Sequence, residues 1–476
     1  MAAEQDKTAL TQWFELQMGR NVGLATELCL PTLFHRTPDE ARALERATIG
    51  GTPLSRLILA GGCRLTGTVR VGGRKNSAVA IIPATILCGD VSRLENIPRI
   101  TDVEVYTQLL AAVGVKVDWA RDGSGRGFTV CSKGAAPNQV PYGLGKKLRA
   151  SYYLLGALLG RFGEAEIPLP GGCDIGLRPI DQHIKGFEAL GAEVQVSGGS
   201  VRVQASRLVG DTIYCDVVSV GATINIMLAA VLAEGLTVIE NAAKEPHVVD
   251  LANYLNACGA KVQGAGTDVI RIRGVSQDEL CGADHAIIPD EIEAATFMIA
   301  ACATRGDVVV ENVIPKHLAP VSAKLEEVGA VVSENGDYIH VQPGSGRPRA
   351  AQITTLPYPG FPTDAQQPMT VLLALAEGNS VVTDTIWEGR FKHVQELNRM
   401  GARIRVDSRT AMIEGVERLS AAPVQATDLR AAAALVLAGL VAEGETEVAG
   451  IEHLDRGYDN AVAKLRGLGA QVRQVI

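Results

Sequence analysis

The stretch Leu190-Gly191-Ala192-Glu193-Val194 recurs along the chain: CGAKV around Gly259, VGAVV around Gly329, MGARI around Gly401, LGAQV around Gly469, and a weaker VGVKV around Gly114. The gaps between successive glycines are 77, 68, 70, 72 and 68 residues. Each copy follows a helix-period stretch and opens an alternating one. The glycine therefore reads as a left-handed helix C-cap before a strand. A second element repeats in phase: AEGLTVIEN at 233–241, TRGDVVVEN at 304–312, AEGNSVVTD at 376–384 and AEGETEVAG at 442–450, with CGDVSRLEN at 88–96 as a variant. One unit of about 70 residues thus holds two helices and several strands, more than a solenoid repeat carries. Helices such as AAAALVLAGLVA at 431–442 are apolar nearly all round, so they require burial on every side. Helices inside and sheets outside satisfies that requirement.

Outward from the repeats, the 476 residues are 47% hydrophobic and 21% charged, enough for a large core. The net charge of −8 argues against broad binding to nucleic acid or an anionic membrane, so any anion site must be local. Nine scattered cysteines with no CxxC pair fit neither a disulfide framework nor a zinc ribbon, and point to a reducing cytoplasm. The first residues lack the basic and apolar regions of a secretory signal, and no uncharged apolar run reaches membrane-spanning length. Residues 1–56 fall outside the repeats and read as a helical extension with no legible role.

Four features bear on chemistry. Cys173 in LPGGCDIGLRP has glycine neighbours that leave it accessible and Arg178 five residues on to favour thiolate; a buried structural cysteine is the competing reading. In VGGRKNS, Lys75 stands where a strand gives way to a helix, a plausible phosphate or carboxylate site without a Walker A pattern. Asp364 in PGFPTDAQQ is either a plain helix N-cap, a role open to Thr363 also, or a carboxylate held at a loop–helix junction as a general base. Arg149, Arg178, Arg390, Arg430 and Arg456 recur at loop–helix junctions of different units. Guanidinium groups gathered there suit a small ligand carrying phosphate and carboxylate.

GGRKNSAV, KKLRASYYLLG, PGGCDIGLRPIDQHIKG, VVSVGATINIML, IENAAKEP, FPTDAQQP, GRFKHVQELNRMGA, ATDLRA and HLDRGY follow one another between Leu57 and Ile476. Through this ordered run the chain resembles the enolpyruvyl transferases, in particular the branch acting on UDP-N-acetylglucosamine. The resemblance implies a mixed α/β fold: a two-domain inside-out α/β barrel of six units, three per domain. Domain one would span 75–288 and domain two would combine 57–74 with 289–476, with the active site in the cleft between them. It implies transfer of the enolpyruvyl group of phosphoenolpyruvate to the sugar 3-hydroxyl with release of phosphate, as the first committed step of peptidoglycan precursor synthesis. No metal or organic cofactor is implied.

Residue by residue, the resemblance assigns Cys173 as general acid or nucleophile, the thiol alkylated by fosfomycin, and Asp364 as base for the acceptor hydroxyl. Lys75, Arg149, Arg178 and Arg456 would surround phosphates, and Arg390 and Arg430 would face the enolpyruvyl carboxylate. Asn76, Pro179, Ile180, Asp181, Gln182, Ser219, Val220, Gly221 and Ile386 would contact the nucleotide sugar. Arg74 stands where the family usually has a small residue, and Glu291 where it usually has arginine. A paralogue acting on another uridine nucleotide such as UMP, in nucleoside-antibiotic synthesis, and a non-catalytic regulator that binds UDP-sugar are the alternatives.

Overall fold

A computed structural model describes residues 55–119, 127–137, 139–169 and 180–475. Residues 1–54 of the N-terminal extension, Cys173, Arg178 and Pro179 lie outside the described residues, and Arg56, counted with that extension, instead opens the first strand of the repeat region.

The repeat glycines do what their spacing requires. Gly114, Gly191, Gly259, Gly329, Gly401 and Gly469 all have φ between 82° and 106°, the left-handed region that glycine enters without a Cβ penalty. Each ends a helix and releases the chain into a strand, as Leu190 and Gly191 do between the Asp181–Ala189 helix and the Glu193–Ser197 strand. The second repeated element supplies an inner strand of a sheet at Val91–Glu95, Leu236–Glu240, Asp307–Glu311, Asn379–Asp384 and Glu445–Ala449.

The described strands form six separate sheets, five of four strands and one of three. In the five larger ones the inner strand runs parallel to one neighbour and antiparallel to the other, as Asp307–Glu311 does with Thr66–Arg70 and Tyr338–Gln342. No described sheet closes on itself, so the barrel expected from the resemblance is absent among the described residues. Three or four strands are too few to curl round, and each sheet packs helices on its inner face instead. The first described strand, Arg56–Ala60, lies between Glu445–Ala449 and Gln471–Val475, which ties the start of the repeat region to its end.

Strands alternate buried and exposed residues, as Val269–Arg273 shows, so each sheet keeps one face in solvent. The apolar helices behave otherwise. Lys75–Cys88, Tyr153–Phe162 and Val220–Ala230 pack on one another, as do Glu291–Ala303, Gln366–Ala374 and Leu429–Val441; all but Tyr153–Phe162, where only Leu154–Leu159 is buried, bury nearly all their residues. Two apolar clusters result, one drawn from residues 78–287 and the other from 57–71 and 294–472. Each fully buried Leu or Ile contributes about 1.5–3 kcal/mol of transfer free energy. No described helix is long and apolar enough to cross a membrane.

The chain passes between the clusters at residues 71–78 and 287–294, and these two crossings pair with each other. Arg74 N donates to Ile288 O at 2.7 Å, Asp290 N to Gly72 O at 2.9 Å, and Gly73 bridges Pro289. A Cβ at Gly73 would sit 1.6 Å from Asn96 O, so only glycine permits this approach.

Candidate active site

Two buried helices begin at the paired crossings. Asp290 caps Glu291–Ala303 by accepting from Ile292 N at 2.9 Å and Glu293 N at 3.0 Å. Its other oxygen accepts from Lys75 N at 3.0 Å, so one carboxylate fixes the starts of both helices and the backbone of Lys75. The Lys75 ammonium lies 2.6 Å from Asp102 Oδ2, while Arg456 Nε donates to Asp102 Oδ1 at 2.9 Å. Asp102 is buried in the first turn of Thr101–Ala112. Lys75 and Arg456, nearly 400 positions apart in the chain, thus meet on a carboxylate that no sequence motif singled out. Its only sequence sign was an acidic residue at a helix start, which the helix dipole explains without function.

Asp364 does not cap the following helix. It lies in a 3₁₀ turn, Thr363–Ala365, and the N-cap of Gln366–Ala374 is Ala365, with no side-chain cap bond from Thr363 or Asp364. The Asp364 carboxylate instead accepts from the Nη2 atoms of both Arg390 and Arg430, the latter at 2.9 Å. Both arginine side chains are almost wholly buried, whereas Asp364 keeps about a quarter of its side chain open. Burial alone would loosen the proton of Arg430, but the Asp364 carboxylate outweighs it, with Asp290 adding, and holds the guanidinium charged. Arg430 also lies over the Tyr458 ring, 5.4 Å from its centroid. The arginines assigned by resemblance to a substrate carboxylate therefore bond to the carboxylate of the candidate base.

A third group lies on the first apolar cluster. Arg149 opens a 3₁₀ turn and stands 6.0 Å from the Tyr152 ring centroid, and Tyr152 is tilted against His183. His183 Nδ1 is 2.8 Å from the Asn225 amide, and its burial, with the Arg149 charge adding, pushes its pKa down to about 4, so the ring is neutral at pH 7. A Cβ at Gly221 would come within 3.0 Å of His183 Nε2. Gln182 bridges Asp181 and Asp216, and Asp216 N donates back to Gln182 Oε1 at 2.9 Å. Ser219 caps the helix that begins with Val220 and Gly221, while Ile180 and Asn76 are half-buried.

The cations are not bare positive charge. Lys75 and Arg456 share Asp102, and Arg390 and Arg430 share Asp364. The unusual pair Arg74 and Glu291 are ion-paired with each other across the crossings, both almost fully buried. Burial raises the Glu291 pKa to about 7 against the opposing pull of Arg74. Among the other cysteines, burial pushes Cys302 up to about 12 and raises Cys215. Cys88 is raised by its hydrogen bond with Cys258 and by burial. Cys258 is fully buried, but hydrogen bonds with the Cys88 thiol and the Tyr254 hydroxyl lower it against that burial.

Residues 59–465 match the family described as EPSP synthase (3-phosphoshikimate 1-carboxyvinyltransferase). The chain belongs to this enolpyruvyl transferase family. It is 56% identical over 420 residues to UDP-N-acetylglucosamine 1-carboxyvinyltransferase 3 of Symbiobacterium thermophilum, covering 88% of this chain and 98% of that one. It is 54% identical over 422 residues to UDP-N-acetylglucosamine 1-carboxyvinyltransferase 2 of Clostridium acetobutylicum, covering 88% and 99%. Among solved structures, the enolpyruvyl transferase NikO from Streptomyces tendae superimposes with a TM-score of 0.80 at 29% identity, over 89% of this chain and 99% of that one. EPSP synthase from Acinetobacter baumannii, at 20% identity and a TM-score of 0.68, shares the fold.

Proposed function

We propose that this enolpyruvyl transferase moves the enolpyruvyl group of phosphoenolpyruvate to the 3-hydroxyl of UDP-N-acetylglucosamine, releasing phosphate, as the first committed step of peptidoglycan precursor synthesis. The observation that carries the site assignment is Asp364: a part-open carboxylate clamped between two buried guanidinium groups. Identity above 50% to the full-length relatives of that name supports the acceptor. The two apolar clusters are taken as two domains, 75–288 and 57–74 with 289–476, and Lys75 and Arg456 meet on Asp102 between them.

The chemistry follows from these groups. Cys173 delivers a proton to the vinyl carbon, which leaves an oxocarbenium-like centre at C2. Asp364 takes the proton of the acceptor hydroxyl as its oxygen adds there, giving a tetrahedral intermediate. The thiolate left on Cys173 then takes back a proton from the C3 methyl as phosphate departs with the C2–O bonding pair and the vinyl group re-forms, with Lys75, Arg149, Arg178 and Arg456 offsetting the charge that develops on the phosphate. The substrate carboxylate engages Arg390 and Arg430 in competition with Asp364, which frees that carboxylate to act as a base. Asn76, Pro179, Ile180, Asp181, Gln182, Ser219, Val220, Gly221 and Ile386 hold the nucleotide sugar. Proton NMR of a reaction holding phosphoenolpyruvate and UDP-N-acetylglucosamine tests this reading. New vinyl resonances on the sugar 3-oxygen are expected, and their absence while both substrates stay intact rejects it.

A further inference from the structure

One buried carboxylate lies between the loop of Asp364 and the loop of Ile386. Asp384 ends the Asn379–Asp384 strand and is wholly buried. Its Oδ1 accepts from Thr355 Oγ1 at 3.0 Å, Ile386 N at 2.9 Å and Trp387 N at 3.0 Å, and its Oδ2 accepts from Thr363 Oγ1 at 2.6 Å. Thr355 lies directly opposite on the parallel neighbouring strand, so the sheet register fixes the carboxylate. Thr363 immediately precedes Asp364. Gln367, fully buried and with its amide turned to satisfy both neighbours, donates to Thr363 O at 3.3 Å and accepts from Arg390 Nε at 2.8 Å. Arg390 then donates to Asp364, which closes a ring from Asp384 through Thr363, Gln367 and Arg390 to the base.

A strand end needs no buried charge, and burying one is costly unless hydrogen bonds satisfy it. Four donors converge here, all from the two loops or the strand that carries them. We propose that Asp384 is a positioning residue for the transfer reaction: Oδ2 sets the Thr363–Asp364 turn that presents the base, and Oδ1 sets the Ile386–Trp387 turn that presents the acceptor wall. The inference rests on the proposed function for the roles of Asp364 and Ile386.

The two arms separate experimentally. Thr363→Val keeps the shape and removes only the Oδ2 bond; it lowers kcat about 10-fold and leaves the KM for UDP-N-acetylglucosamine within about twofold. Asp384→Ala removes both arms, lowering kcat and raising that KM. Asp384→Asn keeps an oxygen toward the two backbone N–H groups, while its amide donates to a Thr363 hydroxyl that turns to accept. It restores the KM and part of kcat. Should Asp384→Ala fail to fold, Thr363→Val and Asp384→Asn still decide. Wild-type kcat in Thr363→Val, a raised KM in place of a lowered kcat, or Asp384→Asn with a KM well above that of wild type overturns the positioning role. Loss of turnover with this acceptor in the wild-type enzyme overturns the proposed function instead.

Discussion

Asp102 and Arg456 meet at 2.9 Å, Nε to Oδ1, although one opens a helix of the first apolar cluster and the other ends a 3₁₀ turn of the second. The other Asp102 oxygen holds Lys75, so a single carboxylate sets two cations proposed to receive phosphate. Asp102→Asn retains the shape and one acceptor but removes the charge. It is expected to lower kcat/KM for phosphoenolpyruvate about 10- to 100-fold, equivalent to ~1.4–2.8 kcal/mol of transition-state binding. Steady-state kinetics check this, and an unchanged kcat/KM would show that the pair serves packing alone.

Asp364→Asn removes the base and the counter-ion of Arg390 and Arg430 together. Turnover is expected to fall about 10²-fold or more, in the range of general-base removal. Stability should fall as well, because two buried guanidinium groups lose their counter-ion. Turnover is read as phosphate released from phosphoenolpyruvate and stability in thermal denaturation. Full activity at reduced stability would reduce Asp364 to a structural ion-pair partner.

Arg74 and Glu291 form a buried ion pair at the crossings. Removing one partner strands a buried charge, at a cost of about 3–5 kcal/mol. Arg74→Ala and Glu291→Ala should each be strongly destabilising, and the double variant less so than their sum. Denaturant unfolding of the four proteins gives the coupling energy directly. Strict additivity would show that the two charges act independently.

Much of this was legible from sequence because repetition shows through. The glycine caps, the strands after them and the all-apolar helices follow from local chemistry that recurs six times. No described sheet forms the barrel that the resemblance implied, since strand number per sheet depends on pairing between distant segments such as Arg56–Ala60 and Glu445–Ala449. Asp364, Arg390 and Arg430 were marked as chemistry-bearing, but their mutual bonding was not, because no spacing rule links positions 364 and 430. Asp102, Asp290 and Asp384 were missed altogether. Each sits at a helix start or strand end, where an aspartate has an ordinary local explanation, and only the tertiary fold shows what else it holds.

His393 offers a pH test of the second cluster. Both its ring nitrogens are buried without partners, and burial, with Arg390 adding, lowers its pKa to about 4. The unfolded chain protonates this ring below about pH 6.5 while the folded protein does not until about 4, so its contribution to stability is lost as pH falls through that window. Between pH 6.5 and 4.5 the loss is at most about 2.5 kcal/mol for this group. Burial raises Glu291 and Glu293 to about 7, so these two act in the opposite sense, losing stability as pH rises from about 4.5 to 7. His393→Leu should reduce the drop in unfolding free energy between pH 6.5 and 4.5 in urea titrations. An unchanged drop would show that His393 is protonated in the folded state.

Phosphate release from phosphoenolpyruvate, measured with UDP-N-acetylglucosamine, UMP or shikimate 3-phosphate as the sole acceptor, tests the central claim most directly. The account predicts one phosphate per acceptor with UDP-N-acetylglucosamine and a kcat/KM at least about 10²-fold above that for either alternative. Equal or faster release with UMP or shikimate 3-phosphate, or no release with the nucleotide sugar, would contradict it.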